Sequence, residues 1–315
     1  MNPFLRKLAL IGAAILLSLL FVEGSLQLGS LFVGSKRGSS WSHDDRIHVL
    51  CIGDSNTYGL SVGNAETYPA RLQATWEQKS FEPKIEVLNI GIPGMNSSQV
   101  LRDLDRNIDL FEPDVVVIAI GVNDFWTLPV KTTAVEPESL LGRLKRWSRL
   151  YRLYYIATRD PGQRPVEFGT DESGNQALGR LEVLGETFET RVAKTDVADK
   201  RTGEQMASNL REIVATVQAR GVLLVLANYA SDTEFYDVSN YLLGLVAQET
   251  ATPLANVRKV FRNPSVCPTE PCPSWIFPLE HPAKAHPTSA GYQLVANEVL
   301  RVLRTLLPRP GAGKV

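Results

Sequence analysis

The sequence offers little that would hold a metal, a nucleotide or a nucleic acid. Its 315 residues include 3 cysteines and 4 histidines, and its formal net charge is −1. A chain this close to neutrality gives no electrostatic argument for binding nucleic acid or a strongly acidic partner. It contains no internal repeat, no GxGxxG motif after a predicted strand and no P-loop, the usual signatures of repeat and nucleotide-binding proteins. We therefore predict no cofactor, no metal and no nucleic-acid partner.

The N-terminal segment lacks charge over residues 8–22, directly after Arg6 and Lys7. Cations followed by such an apolar run fit a secretory signal peptide or a retained membrane anchor, with a buried helix as a third alternative. No A-x-A-like cleavage site follows, and the apolar stretch can continue to residue 33 if it includes Glu23. We therefore expect residues 1–33 to form a single membrane span. Arg6 and Lys7 would stay cytoplasmic, which places the rest of the chain in the periplasm.

The three cysteines agree with export. Cys51 lies in an apolar predicted strand and is expected to be a small core residue rather than a reactive thiol. Cys267 and Cys272 enclose Pro-Thr-Glu-Pro, a spacing that suits a tight disulfide in an oxidising compartment. A metal site there is the weaker alternative, because no second Cys/His pair with ligand spacing accompanies it.

Short apolar runs alternate with amphipathic stretches after a polar linker at residues 34–46. This alternation predicts an α/β fold with a parallel sheet and helices on both faces, over a main domain at 47–309 and a tail at 310–315. The predicted strands are residues 47–52, 85–90, 114–120, 222–228 and 254–257. The predicted helices are residues 67–79, 99–110, 203–220, 236–249 and 289–307.

Residues 125–202 interrupt this alternation. They contain no convincing strand and are too many for a simple connection, so we predict a helical insertion that shapes substrate choice. Residues 141–155 combine an apolar stripe at helical spacing with only basic charges. Such a helix could dock by its stripe with a solvated basic face, or meet membrane headgroups or an anionic glycan.

Small polar residues follow several predicted strands at the edge where open parallel sheets bind ligands. Ser55 follows the first strand, and a serine there needs a base and donors for an oxyanion before it can act as a nucleophile. The Gly-rich turn after the second strand, residues 91–97, can present a backbone N–H, and the turn after the third can present the Asn123 side-chain amide. His281 and His286 precede the last helix at the same edge and are candidate bases.

Polar neighbours of these candidates have structural interpretations. Asp54 is expected to cap backbone donors in the turn that carries Ser55, and Asn56 and Thr57 to fix that turn by hydrogen bonds. Asp124 is expected to be a turn or helix cap rather than a catalytic acid. Thr288 or Ser289 would cap the last helix.

Four motifs stand in order along the chain. They are Gly53-Asp54-Ser55-Asn56-Thr57-Tyr58-Gly59, Asn89-Ile90-Gly91-Ile92-Pro93-Gly94, Gly121-Val122-Asn123-Asp124, and His286-Pro287 followed by Gly291-Tyr292. In this order and spacing the sequence resembles the SGNH (GDSL-type) hydrolase family. The resemblance implies a three-layer α/β/α flavodoxin-like fold. It also implies Ser55 as nucleophile, His286 as base, and an oxyanion hole formed by the Ser55 N–H, the Gly94 N–H and the Asn123 side chain.

One position departs from the family pattern, which usually has an Asp three residues before the histidine. Ala283 stands there, so the carboxylate that would orient the imidazole is missing. A backbone carbonyl could orient the ring instead, leaving a Ser–His dyad. Taking His281 as base would be an alternative alignment, but only His286 has the Pro-x-x-x-Gly-Tyr continuation. The candidate replacement carboxylates are Glu280, Asp232 and Asp237.

Together these features predict a membrane-anchored serine esterase acting on acylated envelope glycans, with lipid esters as second choice. The same groups could pass an acyl group to a sugar hydroxyl, so a polysaccharide acyltransferase is an alternative. A non-catalytic glycan-binding or assembly protein on the same scaffold is the other, and it gains weight if nothing orients the His286 ring.

Overall fold

The computed structural model describes residues 3–4, 6–7, 18, 21–25, 41–42, 45–60, 62–126, 170, 178–191, 196–231, 233, 235–268 and 286–307. The chain divides into two units, residues 1–40 with 129–164 and residues 41–128 with 165–315. The described residues of the first unit are helical. Within the parts of the chain described here, no helix has the length and apolar character that crossing a membrane requires. Most of the predicted anchor, and all of residues 141–155, lie outside these parts.

The second unit is built around a parallel sheet. Its strands are β1 (Ile47–Gly53), β2 (Ile85–Asn89), β3 (Val115–Ala119), β4 (Leu178–Val183), β5 (Glu186–Arg191), β6 (Leu223–Ala227) and β7 (Leu254–Ala255). Its helices are α1 (Ser55–Tyr58), α2 (Tyr68–Gln78), α3 (Ser97–Phe111), α4 (Asp196–Ala219), α5 (Phe235–Glu249), α6 (Val257–Phe261) and α7 (Ser289–Leu306). Single 3₁₀ turns cover Asn64–Glu66 and Val122–Asp124.

The sheet has five parallel strands in the order β2-β1-β3-β6-β7. The chain leaves β1 towards one side to form β2 and returns to the other side to form β3. This is the flavodoxin-like order, and its reversal point lies beside the carboxyl end of β1. The predicted parallel α/β fold is therefore confirmed, and Ser55 begins α1 at the switch point where such sheets bind ligands.

Alternate residues of each strand face opposite sides of the sheet, and each side has its own core. Leu50 and Val116 pack with α3, α4 and α5 on one side. Val49 and Val115 pack with α2, α6 and α7 on the other, which gives the three layers. Cys51 belongs to the second core with no exposed surface, and burial raises the pKa of its thiol to about 12. The prediction that Cys51 is a core residue is confirmed.

The absence of a strand from residues 125–202 was predicted wrongly, because β4 and β5 form an antiparallel hairpin there. Its inner face is narrow: Leu181, Val183 and Phe188 are buried, while the alternate positions are mostly charged or polar. The hairpin turns at Leu184 and Gly185, both with positive φ. The edge strands of a small surface hairpin carry few apolar residues, so the period-2 pattern is weak.

Candidate active site

The nucleophile turn is the short helix α1, which starts at Ser55 directly after β1. The Asp54 side chain caps it by accepting the Asn56 N–H at 2.8 Å, and Gly59 ends it in the left-handed region. The predicted capping role of Asp54 is confirmed. Gly53 is required here, because a Cβ atom would collide with the Thr57 hydroxyl and a backbone carbonyl of β3. The turn therefore holds Ser55 at the sheet edge in one backbone conformation.

His286 meets Ser55 across this edge. Its Nε2 atom lies 2.7 Å from the Ser55 Oγ atom, and each residue is 9% exposed. The histidine stands three residues before α7, whose first turn is capped by Thr288 through the Gly291 N–H, as predicted. Burial lowers the pKa of His286 below its usual 6.5, which favours the neutral ring that can accept a proton.

The other nitrogen of the ring, Nδ1, is buried and has no hydrogen-bond partner among the residues that the structure describes. Asp237, one of the candidate replacement carboxylates, is ion-paired with Arg258. Asp232 and Glu280, the other two candidates, lie outside the described residues, as do Ala283 and His281. Of the candidate carboxylates, Asp237 alone is described, and it does not orient the ring.

Gly94 and Asn123 come from the turns after β2 and β3. Gly94 has φ +77, a conformation that favours glycine, and its neighbour Met95 accepts a hydrogen bond from the Asn123 side-chain N–H at 2.9 Å. The Ile92 N–H donates to the Gly53 carbonyl at 2.9 Å, which ties the Gly94 turn to the nucleophile turn. Three turns that carry backbone or amide N–H groups thus meet at one edge of the sheet.

A buried polar network lies behind the nucleophile turn. The Tyr229 hydroxyl donates to Asp54 Oδ2 at 2.6 Å, and the Asn56 side chain donates to the Tyr236 hydroxyl at 3.4 Å. Burial raises the pKa of Asp54 to about 6, although hydrogen bonds from Tyr229 and Asn56 oppose the shift. Neither tyrosine was predicted from the sequence. For Tyr229 the available signal was its place just after a buried strand, at the edge that carries the site, whereas Tyr236 lies inside α5 and had no such signal.

Asp124 supports the turn that carries Asn123. Its carboxyl accepts the Ser97 N–H at 2.8 Å and the Ser97 hydroxyl at 2.5 Å, at the start of α3. Asn209 of α4 donates to the Ser97 hydroxyl oxygen at 2.8 Å. Burial raises the pKa of Asp124 to about 7. The expected capping role is confirmed, since the carboxyl satisfies donors at a helix start.

Within the described parts of the chain, no cluster of His, Cys, Asp and Glu side chains could hold a metal ion. The donors at this edge are instead a hydroxyl, an imidazole and several N–H groups. This set suits attack on a carbonyl carbon with stabilisation of the resulting oxyanion.

Comparisons with known proteins give one family and several similar folds. The model of the GDSL-like lipase/acylhydrolase family matches residues 51–294. No curated protein matches the chain. The acetyl xylan esterase AlAXEase is 15% identical, with 81% of this chain and 98% of that chain covered and a TM-score of 0.49. A catalytic mutant of the acetylxylan esterase Axe2 from Geobacillus stearothermophilus is 17% identical, with 84% and 96% covered and a TM-score of 0.48. The psychrotrophic esterase EstA from Pseudoalteromonas sp. is 15% identical, with 82% and 97% covered and a TM-score of 0.47.

Proposed function

Because the chain belongs to the GDSL-like lipase/acylhydrolase family, a family of ester hydrolases, we propose that it cleaves carboxylic esters with Ser55 as nucleophile and His286 as base. The observation that carries this proposal is the 2.7 Å contact between His286 Nε2 and Ser55 Oγ. A serine hydroxyl becomes an effective nucleophile when an adjacent base takes its proton, and this distance lies within hydrogen-bond reach.

In the first half of the reaction, His286 Nε2 takes the Ser55 proton while Oγ attacks the ester carbonyl carbon. The carbonyl oxygen becomes an oxyanion, and we assign its stabilisation to the Ser55 N–H, the Gly94 N–H and the Asn123 side chain. The tetrahedral intermediate collapses, the ester C–O bond breaks, and the alcohol leaves with the proton from His286. Water then repeats the same steps on the acyl-enzyme, releasing the carboxylic acid and restoring Ser55.

We propose that the reaction runs on a Ser–His dyad. Removing the Asp from a catalytic triad costs rate because the imidazole is held and stabilised less well, but it does not remove the base. The burial that lowers the pKa of His286 keeps the ring neutral and ready to accept the Ser55 proton. Glu280 and Asp232 are the candidate third members that remain, and Glu280→Gln and Asp232→Asn should each change the rate less than about threefold if the dyad suffices.

The Nδ1 atom of His286 has no partner among the described residues, and this observation favours the second candidate function, a non-catalytic glycan-binding protein on the same fold. Turnover separates the two. A binding protein has no need of an intact Ser55 hydroxyl, whereas the esterase loses its reaction without it.

The test is hydrolysis of p-nitrophenyl acetate and longer p-nitrophenyl esters by the purified full chain in detergent. We expect Ser55→Ala and His286→Ala each to lower kcat by at least about 1,000-fold. His48→Ala is the matched control, because His48 lies near the amino end of β1, at the opposite edge of the sheet. Equal rates for Ser55→Ala and wild type would refute the esterase. A loss confined to His281→Ala would move the base to His281.

For the natural substrate we propose O-acylated envelope glycans, with lipid esters second, at the periplasmic face of the membrane. The support is the sequence pattern of Arg6 and Lys7 before an apolar run. Acyl transfer to a sugar hydroxyl needs only that the sugar replaces water in the second half of the reaction. Added protease should digest residues 41–315 in spheroplasts, and full protection of that region would contradict the proposed orientation.

We also retain the Cys267–Cys272 disulfide as a proposal, because Cys272 lies outside the described residues. Peptide mass spectrometry should find the two cysteines linked before reduction and free afterwards. Alkylation of both thiols without reduction would contradict the pairing.

A further inference from the structure

The Tyr229 hydroxyl lies between the two turns that the proposed chemistry uses. It donates a hydrogen bond to Asp54 Oδ2 at 2.6 Å and accepts one from the Val122 N–H at 3.4 Å. Asp54 directly precedes Ser55, and Val122 directly precedes Asn123. One hydroxyl group therefore joins the nucleophile turn after β1 to the oxyanion turn after β3.

Tyr229 is itself held firmly. It follows β6 by two residues, and its backbone N–H donates to the Asn240 side-chain oxygen at 2.7 Å. The Asn240 amide in turn donates to the Ser231 carbonyl at 2.8 Å. The Tyr229 ring is 2% exposed and meets the Tyr236 ring edge-on, with centroids 5.1 Å apart. The hydroxyl is thus fixed by a buried ring and a tethered backbone.

Both oxygens of Asp54 are occupied, and this couples Tyr229 to Ser55. Oδ1 accepts the Asn56 N–H and so caps α1, while Oδ2 accepts the Tyr229 hydroxyl. A carboxylate held at both oxygens is restricted in rotation, so the Tyr229 hydroxyl helps to fix the side chain that caps α1. That helix carries both the Ser55 hydroxyl and the Ser55 N–H.

The direction of this hydrogen bond is fixed as well. Burial raises the pKa of the Tyr229 hydroxyl well above its usual 10, so the group keeps its proton at neutral pH. With one proton to give, the hydroxyl donates to Asp54, and its oxygen is the acceptor for Val122.

We propose that Tyr229 is a positioning residue of the ester hydrolysis, holding the nucleophile turn and the Asn123 turn at one separation. The inference rests on the proposed function of Ser55 and Asn123. Oxyanion donors act only when they lie about 3 Å from the developing charge, and a misplacement of about 1 Å can cost about 100-fold in rate. Tyr229 touches no reacting atom, so its effect is expected on the chemical step rather than on substrate binding.

The test replaces Tyr229 by Phe, which keeps the ring and removes the hydroxyl. We expect kcat for p-nitrophenyl acetate to fall about 10- to 100-fold with KM within about twofold of wild type. The affinity for a boronic acid, which forms a tetrahedral adduct with a serine nucleophile, should fall in parallel with kcat/KM. A merely structural role would lower the amount of folded enzyme and leave the kcat of the folded fraction, the KM and the boronic-acid affinity unchanged.

Two further tyrosines provide the comparison. Tyr241→Phe is the matched control, because the Tyr241 hydroxyl donates to the Leu184 carbonyl of the β4–β5 hairpin at 3.3 Å and should leave kcat unchanged. Among the described residues, Tyr236→Phe removes the 3.4 Å contact with Asn56, and its loss of kcat should be at least about fivefold smaller than that of Tyr229→Phe. Equal losses in Tyr229→Phe and Tyr236→Phe would overturn the proposal.

If Tyr229→Phe does not fold, Asp54→Asn tests the same contact from the other side. The Asn oxygen can still cap α1, but its amide group cannot accept the Tyr229 proton. We expect the same fall in kcat with unchanged KM, and full kcat in either folded variant would overturn the positioning role. Ser55→Ala separates the two proposals: if it is inactive while Tyr229→Phe is fully active, the esterase stands and this inference fails.

Discussion

The buried carboxyl of Asp124 gives a quantitative prediction of how stability depends on pH, because Asp124 is only 6% exposed. Its pKa rises from 3.8 to about 7, with burial as the largest cause, while the hydrogen bonds from Ser97 oppose the shift. At a pH between 3.8 and about 7, the Asp124 carboxyl is protonated in the folded protein and ionised in the unfolded chain. The folded state is therefore favoured at low pH, and this contribution is lost as the pH rises through 7.

The size of the effect follows from the shift. Each pKa unit corresponds to about 1.4 kcal/mol, so raising the pH from 5 to 8 should remove about 3 kcal/mol of Asp124-dependent stability. The lowered pKa of His286 makes the folded state more stable as the pH rises, which is opposite to the effect of Asp124. The pH dependence of the wild type alone would therefore combine the two effects. Comparison with Asp124→Asn isolates one group, because the amide resembles the protonated carboxyl and does not titrate.

The assay is urea unfolding of wild type and Asp124→Asn at pH 5, 6, 7 and 8. We expect the free energy of unfolding of Asp124→Asn, relative to wild type, to rise by about 3 kcal/mol across this range. Asp103→Asn is a control, since its carboxyl is paired with Arg102 at the surface of α3, and it should show no comparable trend. Parallel pH curves for wild type and Asp124→Asn would refute the buried, protonated state of Asp124.

Three other outcomes are expected. The kcat/KM for p-nitrophenyl acetate should rise with pH through an apparent pKa below 6.5, since His286 must be neutral, and a midpoint above 7 would contradict its burial. Asn123→Ala should lower kcat about 100- to 1,000-fold with little change in KM, whereas an unchanged kcat would remove it from the oxyanion hole. Gly53→Ala should prevent stable folding because its Cβ would meet Thr57 and backbone, while Gly244→Ala in α5 meets open space and should stabilise by about 0.5–1 kcal/mol; thermal melts compare the two.

The central layer of this fold could be predicted from the sequence because its strands are buried on both faces. Residues 115–120 form a continuous apolar run, and β3 lies there with every residue buried. The helices were predicted within a few residues, except α4, which begins at Asp196 rather than at 203. Two short elements, α1 and α6, were missed because four or five residues are too few for an apolar spacing to repeat and reveal a helix.

The residues of the site also differ in whether the sequence could predict them. The residues that stand in ordered motifs at strand ends could be named, because topology alone brings the carboxyl ends of parallel strands to one edge. Tyr229 could not be named, since its contact with Asp54 joins residues 175 positions apart and depends on the path of the chain after β6. The environment of the His286 ring could not be predicted from the sequence either, because it depends on which residues pack against Nδ1 rather than on any local pattern.

The proposed chemistry depends on the contact between Ser55 and His286, which must produce an acyl-enzyme on Ser55. The full chain should be mixed with excess p-nitrophenyl acetate, quenched in acid within one turnover, digested and analysed by peptide mass spectrometry. We expect an acetyl group on Ser55 in the wild type, and a rate of acetylation at least about 100-fold lower in His286→Ala. An acetyl group on another residue, or equal acetylation of Ser55 in both proteins, would contradict the proposed chemistry.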